Sequence, residues 1–343
     1  MKIDNFTIDK GSSTFIIAEL SANHGHDINI AKETIRAAKR AGADAIKLQT
    51  YKPEIITIDA KTDDFLIKGG TLWDGRYLFE LYQEAFLPWE WHEELFKTAK
   101  EEGLVCFSSP FDFTAVDLLE KLNTPAYKIA SFEITDIPLI EYVASKGKPV
   151  IISTGIAGSE DIALALETCI KAGNDQIILL KCTSAYPAKI EDANLIMIRD
   201  LAEKYNVITG LSDHTMGAIV PVLSVAMGAK VIEKHFILKK SIGGPDVEFS
   251  LDEKEFTEMV YQVREAEKAI GKVDYSLTDK MIKSREHSRS LYVVEDIKEG
   301  EVLTNDNVRS IRPGYGLHPK YLPEILGTIA KKKYMKGDRF KIN

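Results

Sequence analysis

A (β/α)8 barrel followed by a small β-rich domain is the fold class this sequence predicts, and three observations carry it. From Phe15 to about Gly271, eight short β-branched runs alternate with amphipathic stretches: FIIAEL, ADAIKLQ, GLVCFSS, AYKIAS, PVIIST, QIILLKC, NVITGL and AKVIEKHF. Such alternation is the mark of a parallel sheet with covering helices, and eight βα units over about 260 residues suit a closed barrel better than an open sheet. No G-x-G-x-x-G fingerprint follows the first run, which removes the main support for a doubly wound dinucleotide fold. Beyond Gly271 the pattern changes to short runs punctuated by glycine turns such as KEGE and MKGD.

Taken in order, the elements read as follows. INIAKETIRAAKRAGA repeats small or apolar residues at 31, 35, 38 and 42, and DEKEFTEMVYQVREAEKAIG places Phe256, Met259, Val260 and Val263 on one stripe. Both match the 3.6-residue helical period. Between the second strand and the helix before the third lies a long insertion, YKPEIITIDAKTDDFLIKGGTLWDGRYLFELYQ; long βα loops build the substrate mouth of barrels. Residues 1–271 form the expected barrel, the polar segment 272–287 a linker or isolated helix, and 288–343 the small β-rich domain.

Composition narrows the function. The chain has 343 residues, 45% hydrophobic and 28% charged, with a formal charge of −8 and a pI near 5.5. An acidic protein without a basic face is not expected to bind nucleic acid, and the KKK run at 331–333 reads as solvated surface. No apolar run approaches the roughly 20 residues that cross a bilayer. The start MKIDNFTIDKG carries no secretory pattern, so a cytoplasmic protein is expected. Cys106, Cys169 and Cys182 are too scattered for a disulfide framework or a zinc cage.

The strand ends carry the chemistry. In VIEKHFILKK an apolar run stops at Glu233, Lys234 and His235. Alternation puts Val231, Glu233 and His235 on one face, and the inward face at the C-terminal rim is where barrels keep their active sites. A lone histidine there is usually a hydrogen-bonded structural residue. The preceding strand, however, ends GLSDHT and brings His214 to the neighbouring rim position. Two imidazoles on adjacent strands can share a divalent ion, and with no thiolate nearby they favour Mn2+, Co2+ or Mg2+ over a closed structural zinc. Glu233 or Asp246 are candidates to complete or orient that shell.

Other strand ends supply a matching set. Lys47 and Gln49 share a face in a core run, which implies an anionic partner for the lysine. The fourth strand offers Lys128, Ser131 and Glu133; Lys128 and Ser131 have opposite parity and meet only if the strand ends or bulges between them. Glu19 sits in an apolar run, and Ser109, Ser153, Ser184 and Tyr186 end the third, fifth and sixth strands. Hydroxyls and backbone N–H groups at such turns suit phosphate.

In order and spacing, IIAELSANH, KLQTY, FSSPF, YKIASFE, STG, KCTSAYP, GLSDHT, EKHF, GGPD and RPGYGLHP resemble the sialic acid synthase family of nonulosonate synthases over nearly the whole chain. The resemblance implies a barrel joined to an antifreeze-like (SAF) domain. It also implies condensation of phosphoenolpyruvate with an open-chain amino sugar, with release of phosphate, and a domain-swapped homodimer. On the matched positions, His214 and His235 would hold the metal, with Mn2+ expected. Lys47, Lys128, Ser131, Ser153 and Ser184 would bind phosphoenolpyruvate beside Gln49, Ser109 and Phe111. Glu19 would face the reacting centre and Glu133 would transfer protons. Tyr186, Asp246 and Arg312 would hold the sugar. DFLIKGGTLWDGRYLFELYQEAFLPWEWH, SRSLY and GLHPK point within the family to a branch whose acceptor is 2,4-diacetamido-2,4,6-trideoxy-L-altrose, and Trp73, Trp89 and Trp91 are then candidates for apolar contact with it. The rival readings are a synthase for a different acceptor, such as N-acetylmannosamine, and a barrel that holds glycans without turnover.

Overall fold

The computed structural model describes residues 1–341. Eight parallel strands close into a barrel: β3 (Phe15–Glu19), β4 (Ala45–Thr50), β5 (Val105–Pro110), β6 (Tyr127–Ile129), β7 (Val150–Ser153), β8 (Ile177–Cys182), β9 (Ile208–Asp213) and β10 (Val231–His235). β10 pairs with β3 to complete the ring. These are the eight runs expected from the sequence, trimmed at their ends.

The barrel interior is layered by polarity. Phe15, Ile17, Ala45, Val105, Phe107, Ile151, Ile178, Leu180 and Val231 fill its lower part as one apolar cluster. The next inward position on most strands is polar: Glu19 on β3, Lys47 and Gln49 on β4, Ser109 on β5, Lys128 on β6, Ser153 on β7, Ser212 on β9, Glu233 and His235 on β10. Because side chains alternate along a strand, a short inward sequence of apolar then ionisable residues becomes a greasy plug under a charged floor. Gly210 on β9 is required by sterics, since a Cβ there would run into the Val231 carbonyl oxygen.

A feature not anticipated from the sequence closes the lower end. β1 (Lys2–Ile3) and β2 (Phe6–Thr7) form a small antiparallel hairpin, and its Ile3, with the following Ile8, joins the interior apolar cluster. Two-residue strands are too short to leave a readable period.

The helices form as their patterns predict. Ile28–Arg40 starts at Asp27, whose carboxylate accepts from the Asn29 N–H at 2.7 Å, and buries Ala31, Ile35 and Ala38. Glu253–Ile270 opens with a reciprocal capping box between Asp252 and Glu255 and buries Phe256, Met259, Val260 and Val263. A Ser, Asp or Asn at the cap satisfies an orphan N–H.

By internal contacts the chain divides into two compact units, residues 1–271 and 272–343. The second contains an exposed helix, Asp279–Ser284, and an antiparallel pair, β11 (Ser290–Val293) and β12 (Val308–Ile311). Leu291, Val293, Ile297, Leu303, Val308, Ile325, Tyr334 and Phe340 make its core. Among the described residues no helix is long and apolar enough to cross a membrane.

Candidate active site

Parallel register puts the charged groups on one level. His235 pairs with Glu19 and Glu19 with Lys47 across three consecutive strands, while Ser212 pairs with Glu233. The Lys47 ammonium makes a close ion pair with Glu19 and lies 3.7 Å from Glu233; Lys128 lies 3.3 Å from Glu233. All four side chains are nearly fully buried. Burial drags the lysine pKa values down, yet the carboxylates of Glu19 and Glu233 hold Lys47 above its ordinary value. Lys128 falls below its own under burial and repulsion from Lys47. Burial pushes the Glu19 carboxyl up against the pull of Lys47. For Glu233 the two lysines outweigh burial and keep it ionised.

The lysines therefore have the anionic partner the sequence demanded, and it is partly Glu233. Glu233 accepts from the Ser212 hydroxyl at 3.1 Å and faces the lysines, with its Oε2 left without a hydrogen-bond partner among the described residues. Asp246 approaches His235, with Oδ2 at 3.8 Å from its Nδ1, while accepting from the Ser21 hydroxyl at 2.5 Å. Burial raises its pKa.

The fourth strand resolves its own parity problem. β6 stops at Ile129 and a 3-10 turn spans Ser131–Glu133, so Lys128 and Ser131 line the same cavity. Ser131 Oγ and Ser153 Oγ are buried without hydrogen-bond partners among the described residues. A Cβ added at Gly155 would overlap the hydroxyls of both Ser131 and Ser184. The hydroxyls of Ser131 and Ser184 thus meet at a spot kept open by a glycine, and Ser153 lines the same cavity as Ser131, an arrangement suited to phosphate oxygens. Ser109 sits 3.4 Å from the Lys47 ammonium, and Gln49 donates to Glu19 at 3.0 Å and to Ser21 at 2.9 Å.

The histidines meet at the rim, with ring centroids 5.2 Å apart. His214 Nδ1 lies 3.0 Å from the Thr183 carbonyl, which can only accept, so Nδ1 carries a proton and Nε2 is the ring atom left to face a cation. His235 Nδ1 is buried with no hydrogen-bond partner, and burial with the neighbouring cations holds its pKa well below the ordinary value. His235 thus presents a neutral imidazole. Burial lowers the His214 pKa, but the Cys182 thiol, 4.0 Å from its Nδ1, and the Thr183 carbonyl outweigh it and raise that pKa above the ordinary value, so a divalent cation held by the pair would take the place of the second proton on His214. Among the described residues no cluster of three or more His, Cys, Asp or Glu side chains forms a metal cage, so the pair would leave the remaining positions to water and substrate oxygen.

A wider chamber of about 400 Å³ opens beside this floor. It shares Gln49, Ser131, Tyr186 and His235 with the charged pocket. Phe111, Glu133 and Asp246 line it, and Tyr186 packs at a tilt against the His214 ring, centroids 4.5 Å apart. Glu133 has a buried oxygen without a partner; burial, only partly countered by Lys128, pushes its pKa up to about 7. Of the three tryptophans only Trp73 lines the chamber, its indole N–H donating to the Pro245 carbonyl at 3.1 Å. Trp89 instead donates to the Tyr51 carbonyl and Trp91 packs on the helical core. Arg312 is exposed, just past β12 in the second unit.

Ser21, Tyr51, Tyr82, Phe249 and Gly155 are also at the site, in positions that strand periodicity does not single out. Ser212 and Cys182 also line the charged pocket. Their signal was available: both lie at inward parity within GLSDHT and KCTSAYP. The loop residues left none.

Comparison with known proteins gives the same direction. The NeuB family model matches residues 34–275 and the SAF domain model residues 288–338. The chain is 51% identical over 341 residues to the pseudaminic acid synthase of Campylobacter jejuni strain 81-176, covering 99% of this chain and 98% of that protein. It is 50% identical over 318 residues to that of Helicobacter pylori, covering 92% and 93%. Against the N,N'-diacetyllegionaminic acid synthase of Legionella pneumophila identity is 36% over 327 residues, covering 93% and 91%. The crystal structure of the sialic acid synthetase from Leptospira borgpetersenii, a citrate complex, superposes with a TM-score of 0.74 at 31% identity, covering 83% of this chain and 94% of that one.

Proposed function

Because the chain belongs to the NeuB family, we propose that it works as a pseudaminic acid synthase, condensing phosphoenolpyruvate with 2,4-diacetamido-2,4,6-trideoxy-L-altrose to give pseudaminic acid and phosphate. The carrying observation is the adjoining of two unlike chambers: a buried lysine and serine nest for a polyanion, opening through Gln49, Ser131, Tyr186 and His235 into a roomier sugar-sized cavity. Identity near 50% to pseudaminic acid synthases, against 36% to a legionaminic acid synthase, supports the choice of acceptor.

In this reading Lys47 and Lys128 hold the anionic groups of phosphoenolpyruvate by charge-assisted bonds. Ser131, Ser153 and Ser184 donate to its phosphate in the space Gly155 leaves, with Ser109 and Phe111 beside it. Binding a polyanion where Glu19 and Glu233 already balance two lysines keeps the floor organised before substrate arrives, so little reorganisation is left for the reaction. A divalent ion held by His214 and His235, Mn2+ with Co2+ or Mg2+ as alternates, would supply Lewis acidity toward the acceptor carbonyl.

C3 of the enol forms the new bond to the acceptor's aldehyde carbon. Protonated Glu133, with a pKa near neutrality, delivers a proton to the carbonyl oxygen as it becomes a hydroxyl. Glu19 stabilises the positive character left at C2. Water adds at C2 and loses a proton, and the C–O bond to phosphate breaks. Tyr186 and Asp246 position the sugar, so that alignment contributes alongside acid catalysis.

We also assign the enzyme to the cytoplasm, where phosphoenolpyruvate is available, and to a domain-swapped homodimer in which Arg312 serves the partner's sugar. Val273 and Tyr275, 88% and 94% exposed, support burial of that segment by a second copy. Light scattering tests the dimer, and an Arg312→Ala variant tests the residue by its KM for the sugar. The activity is tested by phosphate release from phosphoenolpyruvate with the altrose derivative, N-acetylmannosamine and the legionaminate precursor side by side, with and without chelator. Fastest release with the altrose derivative, lost to chelator and restored by Mn2+, is expected. Faster release with N-acetylmannosamine overturns the acceptor, activity untouched by chelator overturns the metal, and no release with any sugar favours a glycan-binding protein.

A further inference from the structure

The branched aliphatic side chains that line the sugar chamber all come from one segment. Ile56, Ile67, Leu78 and Leu81, all in the insertion between β4 and the helix His92–Glu101, line it alongside Trp73. The polar part of the lining is Ser21, Gln49, Tyr51, Tyr82, Glu133 and Asp246.

The insertion also brings two phenols to the chamber, Tyr51 and Tyr82, but these stand near the carboxylates of Asp246 and Glu133, and the polar groups beside the aliphatic residues are spent. Thr71, the one small hydroxyl among them, donates to Asp74 at 2.7 Å, and Asp74 accepts as well from the Gly70 and Thr71 N–H groups at 2.8 and 2.9 Å. These bonds fold the hairpin, closed by the Leu66–Tyr77 bridge and by the Ile67 N–H donating to the Arg76 carbonyl at 2.9 Å. Trp73 Nε1 is spent on Pro245. Ile56, Ile67 and Leu78 are only half-buried in the free protein, so apolar surface stands open to the chamber and gains by being covered.

Resting on the pseudaminate reading above, we propose that Ile56, Ile67, Leu78 and Leu81 form the specificity element for the acceptor's C6 methyl group. They select a 6-deoxy sugar against its 6-hydroxy counterpart. A hydroxyl placed on this wall gives up water and finds no donor or acceptor, whereas a methyl covers the exposed branched side chains. The sugar's hydroxyl and amide groups fall to the polar part of the lining, which fixes the orientation in which it enters. The sequence expectation gave this task to three tryptophans; one remains at the chamber, and aliphatic residues of the same insertion do most of it.

The test compares two acceptors that differ at one position: 2,4-diacetamido-2,4,6-trideoxy-L-altrose and the corresponding 2,4-diacetamido-2,4-dideoxy sugar carrying the 6-hydroxyl. The parent protein is expected to favour the 6-deoxy form in kcat/KM by about tenfold or more, the range of a methyl-sized discrimination in an apolar pocket. Leu78→Asn and Ile67→Thr, which place a hydrogen-bonding group on the wall, are expected to cut that ratio by at least about threefold. Ile67→Thr keeps the β-branched shape of the hairpin residue, and thermal melts of both variants verify the fold. A parent that uses both C6 forms equally, or variants that slow both acceptors by the same factor, overturns this inference and leaves the pseudaminate reading standing. Failure of the parent to use either diacetamido sugar while turning over N-acetylmannosamine overturns both.

Discussion

Glu233 and Lys234 are neighbours on β10, both almost completely buried, and they face opposite sides of the barrel wall. Inside, Glu233 meets Lys128 and Lys47 in a group that lines a cavity and keeps an oxygen, Glu233 Oε2, without a hydrogen-bond partner. Outside, Lys234 pairs with Asp213 at 2.6 Å and donates to the Thr215 carbonyl, while Asp213 accepts from the Thr215 N–H at 3.0 Å and its hydroxyl at 2.9 Å. The outer pair has no cavity and its bonds are satisfied; it ties β9 to β10 on either side of His214 and His235. Burying charge is expensive in both places. The inner group leaves bonding capacity for a ligand, and the outer one uses its capacity to hold the strand ends in register.

The largest expected effect separates these roles. Lys47→Met should weaken phosphoenolpyruvate binding by about 100- to 1,000-fold, the loss typical when one partner of a buried charged contact is removed; calorimetric titration measures it, and near-parent affinity would end the ligand role of the inner group. Lys234→Met should instead act on stability, by about 3–5 kcal/mol because it strands the Asp213 carboxylate in the interior. Denaturant unfolding reads that loss, and the folded fraction should retain its affinity for phosphoenolpyruvate. A ligand-affinity loss as large as that of Lys47→Met would show the two sites are not distinct in function.

Glu133→Gln should lower kcat by about 100-fold. Since the proposed role needs the protonated carboxyl, the parent's kcat/KM should fall as pH rises through about 7, and the variant should lose that limb. The sign for stability agrees. Raised from 4.5 to about 7, this group contributes stability that is present below about 4.5 and is lost as pH climbs through 7, so the variant gains on the parent across that window in pH-dependent melts. An acid limb instead would reassign Glu133 as a base. The smallest effect belongs to the double variant Lys234→Met with Asp213→Leu, which should recover at least half of the stability lost by the single change, because an apolar pair carries no stranded charge. No recovery would mean that the bonds to Thr215 matter more than the charges.

Legibility followed periodicity. Glu19, Lys47, Gln49, Lys128, Ser153, Glu233 and His235 could be placed from the sequence because strand alternation assigns each to the inward face once the eight runs are recognised. Ser131 could not be assigned that way; only the end of β6 at Ile129 brings it to the same side as Lys128. The sequence makes Trp73, Trp89 and Trp91 equal candidates for contact with the sugar, since composition does not say which way an indole in an irregular segment turns. Nothing in the sequence sets Gly155 apart from the chain's other glycines. Its importance comes from what a Cβ there would strike, two hydroxyls from other parts of the chain.

The amino-acid order alone determined the barrel, the level at which its interior turns from apolar to charged, and the pairing of His214 with His235 at the rim. Those features depend on repeat lengths of two and 3.6 residues, which are local and survive without knowledge of neighbours. Tertiary structure decided which carboxylate faces which lysine, that a terminal hairpin plugs the base, and that the insertion turns Ile67, Leu78 and Leu81 toward the sugar chamber. These depend on contacts between residues far apart in the chain, where sequence spacing carries no distance information.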